Sequence, residues 1–293
     1  MTPASSSADP TPPGVAIEAA GLRWNVVQRG AGDCVLLIHG TGGTVHTWDA
    51  LLPLLSQRFR AIALDLPGHG ETSYPGFERI TCEGVSAMLA EAVAALGVSP
   101  VAVIAHSAGA AIMLRAALSG VWPAAARLIG INPALEAAPD AARALMQGAV
   151  GDLFRSRPSR WLVRSAARAT PVIELLLAST GSRLTPGQER RYVAAFRSGE
   201  HAEAAYAMMA NWDLLPLRQA LSRIQHETLF IVGDRDRWIP PSVARNAAVL
   251  MPHARVETIR TGGHLVHEER PAEVAEIVAR ALGVAPPRPS EVP

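Results

Sequence analysis

The chain has 293 residues and carries 27 basic against 26 acidic side chains, a net charge of +1. Such a length buries a sizeable core in one or two domains, and the charge balance removes any global case for nucleic acid or a polybasic membrane tether. Every basic side chain is an arginine, so Schiff-base, P-loop-lysine and pyridoxal chemistries are excluded.

Residues 1–14 are rich in Pro, Ser and Thr, with no basic start or apolar centre, and read as a disordered tail instead of a signal peptide. Val15–Arg29 contains two short strands around a turn at Ala20-Gly21. Cys34–Ile38, apolar throughout, is a buried strand that runs into His39-Gly-Thr-Gly-Gly43, a loop needing glycine freedom. A helix is predicted from Thr47 to about Arg58, with Trp48, Leu51, Leu52, Leu54 and Leu55 on its buried side. Ala61–Leu66 is a strand leading through Asp65-Leu-Pro-Gly-His-Gly70, and Thr81 caps a helix that reaches Leu96 and stops at Gly97. Cys34 opens a strand and Cys82 sits at a helix start, so both read as reduced structural residues.

From Val101 a continuous apolar run stops at Ser107 and passes into helical spacing at Ile112, Met113, Leu114 and Ala117. A strand Arg127–Asn132 follows, and then the rhythm breaks: residues 135–224 are helical or irregular, with no convincing strand. It resumes with strand Glu227–Val232, helix Pro241–Leu250, strand Arg255–Ile259 and helix Pro271–Leu282, before a second tail over residues 285–293. Alternating strands and helices argue an α/β fold with a mostly parallel central sheet and helices on both faces. The core spans residues 15–134 and 225–284, and residues 135–224 form a helical cap inserted at the carboxyl edge of the sheet. No run is long enough to span a bilayer, so a soluble cytoplasmic protein is expected, with surface attachment to a membrane left open.

Small residues (Ala105, Ala108, Gly109, Ala110, Ala111) crowd Ser107 on both sides. A strand that bends sharply into a helix around a serine needs small neighbours, because the backbone is strained and the helix packs close. A serine hydroxyl is a poor nucleophile near neutrality and needs a base, and the base needs a carboxylate that holds its tautomer. Just past strand Glu227–Val232 stand Asp234 and Asp236; Asp236 is the choice for the carboxylate, Asp234 being expected to bond backbone in its turn. Past strand Arg255–Ile259 the flexible Thr261-Gly-Gly-His264 presents the base, His264, with His267 as runner-up. Two backbone donors for a developing oxyanion are expected at Ala108 and Thr41. His39, His69 and His106 are expected to fix loops by hydrogen bonds, since no cysteine or carboxylate accompanies them at ligand spacing. No metal or cofactor is expected.

Serine bend, late acid, later histidine and glycine loop, in this order, resemble the α/β-hydrolase superfamily over roughly Val15 to Gly283, with Ala105 replacing the first glycine of G-x-S-x-G. A serine nucleophile argues against its dehalogenase and epoxide-hydrolase branches, which need a carboxylate. His39–Trp48, Asp65–Gly70, Ala105–Gly109, Gly263–Pro271 and the cap segments Thr180–Thr185 and Met208–Leu214 are similar to one subfamily. That subfamily is the magnesium-chelatase accessory proteins of bacteriochlorophyll biosynthesis. The resemblance implies a role at or near magnesium insertion into protoporphyrin, with the chelatase as a partner and a small-molecule substrate or a porphyrin as ligand.

Two cap features bear on that ligand. Arg160, Arg164 and Arg168 fall four apart and make one basic stripe, interleaved with Trp161, Leu162 and Val163. The stripe is either a solvated helix face or a face that meets anionic lipid, a partner or porphyrin propionates, which makes peripheral membrane contact one reading. Ala205, Met208, Met209 and Trp212 are expected to share one helical side and, with Trp238, either to line an adaptable apolar pocket or simply to pack. The residues point to a serine hydrolase of esters or related acyl groups or a generic esterase, and the resemblance adds a porphyrin-presenting accessory protein that keeps its triad as inheritance.

Overall fold

The computed structural model describes residues 14–136, 149–167 and 169–285. Apart from Gly14 and Ala285 the two expected tails lie outside them, as does Arg168 of the basic stripe. Eight strands form one sheet: β1 (Val15–Ala19), β2 (Leu22–Arg29), β3 (Cys34–Ile38), β4 (Arg60–Leu64), β5 (Ala102–His106), β6 (Arg127–Ile131), β7 (Thr228–Gly233) and β8 (Ala254–Ile259). Their spatial order is β1-β2-β4-β3-β5-β6-β7-β8. The β1–β2 and β2–β4 pairs are antiparallel and every later pair is parallel. A parallel strand needs cover on both faces, which is why β3, β5 and β7 read as unbroken apolar runs and are buried along their length.

On one face lie the helices α2 (Cys82–Leu96), α3 (Ala108–Leu118) and α10 (Pro241–Leu250). On the other lie α1 (Leu52–Ser56) and α12 (Pro271–Ala281), the latter following the short helix α11 (Val266–Glu269). Between β6 and β7 the chain leaves the sheet for the helical cap: α4 (Ala149–Arg155), α5 (Arg157–Ala166), α6 (Thr170–Ser179), α7 (Pro186–Phe196), α8 (Gly199–Ala210) and α9 (Leu215–Ala220). This is the mostly parallel sheet with an inserted helical cap that the sequence implies. Among the described residues, no helix is long and apolar enough to cross a membrane.

The helix expected from Thr47 to Arg58 is broken. A 3-10 turn, Val45–Trp48, precedes the short α1, and Pro53 at the start of α1 is the reason. Proline has no N–H to bond the preceding turn and its ring clashes there, so a continuous helix cannot run through it. The burial pattern holds all the same: Trp48, Leu51, Leu52, Leu54 and Leu55 are all buried.

Packing is tight where α3 crosses β3. A Cβ placed on Gly109 meets the carbonyl oxygens of His39 at 2.4 Å and Ile38 at 2.6 Å, both backbone atoms that cannot swing aside. Gly109→Ala is therefore expected to lower the unfolding free energy by about 2–3 kcal/mol, read from urea titrations with an unchanged denaturant slope. Wild-type stability in that variant contradicts the crossing.

Candidate active site

Strand β5 ends at His106, and the next residue, Ser107, takes φ 50° and ψ −118° before α3 begins. Three backbone bonds keep it there: Ser107 N donates to Ile131 O (2.9 Å), and Ser107 O accepts from Ala110 N (3.0 Å) and Ala134 N (3.1 Å). Gly40 leaves the room this needs, since a Cβ there would lie 2.9 Å from Ser107 Cβ. The bend lifts the hydroxyl above the carboxyl edge of the sheet, where later loops reach it.

Ser107 Oγ lies 3.1 Å from His264 Nε2, and His264 Nδ1 lies 2.7 Å from Asp236 Oδ2. Nδ1 donates to the carboxylate, so Nε2 is left to accept the serine proton. The other carboxylate oxygen, Oδ1, accepts from the amides of Trp238 and Ile239, each at 2.8 Å, which fixes its rotamer. All three side chains are buried. Asp234 points elsewhere, with Oδ1 accepting from Thr261 N in the neighbouring loop (2.6 Å) and not within its own turn. His267 is buried too, but its Nε2 meets Thr47 Oγ1 (2.8 Å).

Ala108 opens α3, so its amide has no acceptor within the helix. Thr41 and Ala108 line the same pocket as Ser107. The carbonyl of Gly40 accepts from His39 Nδ1 (2.8 Å) and from Gly43 N (3.1 Å). In a planar trans peptide the N–H points opposite to the C=O, so gripping the Gly40 carbonyl aims the Thr41 amide. His39 Nε2 in turn accepts from Leu66 N (2.9 Å), which settles the tautomer. His106 donates from Nε2 to the carbonyl of His264 (2.9 Å), and Nδ1 of His69 lies 3.2 Å from Pro67 O. These histidines tie loops together. Among the described residues no group of three or more His, Cys, Asp or Glu is arranged to hold a metal.

Three residues that carry the geometry have no role in the sequence reading. Asn132, at the end of β6 with φ 43°, donates from Nδ2 to Gly263 O (2.9 Å) and His264 O (2.7 Å) and accepts at Oδ1 from Gly233 N (2.8 Å). One amide thus joins the histidine loop to the acid strand. Its signal was present: asparagine tolerates the left-handed region and stands at a strand's carboxyl end. Asp65 accepts from Val45 N (2.7 Å), Asn25 Nδ2 (2.7 Å) and Glu71 N (3.0 Å), fixing the loop that precedes α1. Thr180, in the cap, accepts at its carbonyl from both His264 N (3.2 Å) and Arg237 N (3.3 Å), so the cap itself braces the two later loops.

The pocket over Ser107 has a volume of about 490 Å³ and a largely apolar wall. Met208, Met209, Trp212 and Trp238 all contribute to it. Ala205, Met208, Met209 and Trp212 do not share one helical side as expected, because α8 ends at Ala210 and Trp212 sits in the loop beyond. Met208 is 2% exposed whereas Met209 is 67% exposed, and Ala205 packs away from the cavity wall. The two described arginines of the basic stripe also turn inward. Arg164 NH1 and Arg160 Nε lie 2.9 Å and 3.5 Å from the carboxylate of buried Glu203, and the Arg160 guanidinium stacks 4.8 Å from the centre of the Phe77 ring. On α5 it is Trp161 and Leu162, 68% and 61% exposed, that face outward.

A family model for the alpha/beta hydrolase family matches residues 35–277. The magnesium-chelatase 30 kDa subunit of Rhodobacter capsulatus is 36% identical over 249 residues, covering 84% of this chain and 86% of that one. The 2-hydroxy-6-oxo-2,4-heptadienoate hydrolase of Pseudomonas putida is 28% identical, covering 86% and 90%. Among solved structures, a membrane phospholipase A, described as a bacterial virulence factor, superposes with a TM-score of 0.72 at 25% identity, over 92% of this chain and 84% of that one.

Burial pushes His39, His69, His201 and His267 down to about 3, and burial, with the neighbouring His267 second, sends His106 well below its usual value. The unfolded imidazole takes up a proton near 6.5, so below that value the unfolded chain binds more protons and stability falls as the pH falls. Glu268, raised by burial from 4.5 to about 8, has the opposite sign: its contribution is full below 4.5 and fades as the pH rises through 8. Asp65, raised chiefly by burial, acts in the same sense as Glu268. Five imidazoles outweigh two carboxyls, so the urea-measured unfolding free energy is expected to climb from about pH 5 to 6.5 and to decline gently towards about pH 8. A flat profile across that range contradicts the neutral, buried imidazoles.

Proposed function

This chain belongs to the alpha/beta hydrolase family, and on that premise we propose that it is a serine hydrolase of esters or related acyl compounds. The supporting observation is the hydrogen-bond chain Asp236–His264–Ser107, at 2.7 and 3.1 Å, mounted on a left-handed serine. Ser107 Oγ attacks the acyl carbon while His264 Nε2 takes its proton, and Asp236 stabilises the imidazolium without itself taking a proton. Negative charge gathers on the former carbonyl oxygen, where the amides of Ala108 and Thr41 receive it. Collapse of the adduct expels the alcohol, to which His264 returns the proton, leaving an acyl-serine. Water, deprotonated by His264, then attacks the acyl carbon; Ser107 leaves with a proton and the acid is released. An apolar wall fits a substrate that is large and hydrophobic next to its acyl bond.

A second reading is favoured by one observation, the 36% identity to a magnesium-chelatase subunit. On it the chain acts beside a magnesium chelatase, in bacteriochlorophyll biosynthesis, with a porphyrin in the pocket as substrate or as cargo. Arg160 and Arg164, engaged by Glu203, supply no free basic face for lipid.

Ser107→Ala is expected to lower turnover of short p-nitrophenyl esters by roughly 10⁴-fold or more while the thermal transition stays cooperative. Undiminished turnover overturns the nucleophile. Stimulation of a magnesium chelatase that survives the same substitution supports the accessory reading over the hydrolytic one.

A further inference from the structure

We infer that His201, a cap residue, holds the oxyanion loop in its working position, so that the cap is part of the catalytic framework and not merely a cover. The inference rests on the hydrolytic reading above. His201 lies on α8, is 1% exposed, and uses both ring nitrogens. Nδ1 accepts from the amide of Gly70 at 3.1 Å, in the loop after β4. A neutral imidazole that accepts at Nδ1 carries its proton at Nε2, and that proton is donated to the carbonyl of Gly42 at 3.2 Å.

Gly42 follows Thr41, the loop donor assigned to the oxyanion. Its φ is 70°, open to glycine but strained for other residues, and a Cβ there would lie 2.8 Å from the Phe196 ring of α7. That ring stands edge-on to His201, centroids 4.7 Å apart at 82°. The loop is therefore held on both sides of Thr41. Upstream, His39 and Gly43 hold the Gly40 carbonyl; downstream, His201 holds the Gly42 carbonyl under the Phe196 ring. Between them, His69 touches both imidazoles, with centroids 5.2 Å from His39 and 5.0 Å from His201. One stack of three rings runs from the loop after β3, through the loop after β4, into the cap.

His201 touches no reacting atom on this assignment and is a positioning residue. Preorganised donors act by being already in place, and a displacement of about 1 Å costs up to roughly 10²-fold in rate. Two substitutions separate the bonds. His201→Asn keeps an acceptor at the δ position for Gly70 but falls short of Gly42; His201→Gln keeps a donor at the reach of Nε2.

Expected for His201→Asn is a fall in kcat on a p-nitrophenyl ester of about 10- to 100-fold with KM changed less than about twofold. Affinity for a trifluoromethyl ketone, which forms an oxyanion on Ser107, falls by a similar factor, and His201→Gln recovers most of both. Amide hydrogen exchange of residues 40–44 quickens in the Asn variant and returns towards wild type in the Gln variant. Equal losses in Asn and Gln variants, or exchange over residues 40–44 unchanged in the folded Asn variant, overturn the inference. Wild-type turnover, measured first, tests the hydrolytic reading separately: a chain that cleaves no ester sinks that reading, and the exchange experiment still decides whether His201 holds the loop.

Discussion

At φ 50° and ψ −118° the backbone of Ser107 lies outside the regions that side chains tolerate, at a cost on the order of 1–3 kcal/mol. The surrounding chain is shaped to hold it there. Gly40 removes a side chain that would collide with the bend, Gly109 lets α3 close on the end of β3, the end of β6 supplies its acceptor, and the first turn of α3 closes on its carbonyl. One strand along, Asn132 occupies the left-handed region as well, and its amide reaches the loops on either side. Two strained residues at adjacent carboxyl ends thus present one hydroxyl and fix the loops that bring it a base and a carboxylate.

The parts of this arrangement that follow from local rules were legible in the sequence. A buried apolar run, small residues around Ser107, and carboxylate and imidazole after late strands each have a near-sequence signature, and the strands of the core fall within a residue or two of their expected bounds. The break before α1 also has a local signature, since Pro53 sits inside the predicted helix and overrides the apolar periodicity around it. What could not be read is long-range. Nothing near Arg160 or Arg164 says that Glu203, on another helix, will take both charges. Likewise nothing near Met208 says that α8 ends two residues later, so four side chains assigned to one face divide between core, pocket and solvent.

Burial without charge is the common feature of the histidines around the site. The imidazoles of His39, His69, His106, His201 and His267 are kept neutral by desolvation, and a neutral ring with a fixed tautomer both donates and accepts in set directions. His39 and His201 each join an amide of one loop to a carbonyl of another in this way. A protonated ring would lose its acceptor and place an unpaired charge in a low-dielectric interior. Below Thr47 a different solution appears: the Glu268 carboxyl accepts from the hydroxyls of Thr47 at 2.8 Å and Tyr192 at 2.6 Å, tying α7 of the cap to the segment that follows His264. Cap and core are joined by polar contacts at the site itself, not only by apolar packing.

That economy bears on the choice between the hydrolytic and the non-catalytic reading. A protein that only carries a ligand needs a pocket, and an apolar wall is enough to make one. It has no physical use for a strained serine, for a carboxylate buried against a ring nitrogen, or for an amide whose carbonyl is held from behind. Each of these lowers stability or constrains the fold, and replacing buried charged groups by well-packed apolar ones often leaves a protein as stable or more so. Their coexistence at one point, where a hydroxyl, an imidazole and a carboxylate are joined in the order that acyl transfer uses, is the reason to prefer chemistry as the primary role in this proposal. Work beside a chelatase would then be something the chemistry serves.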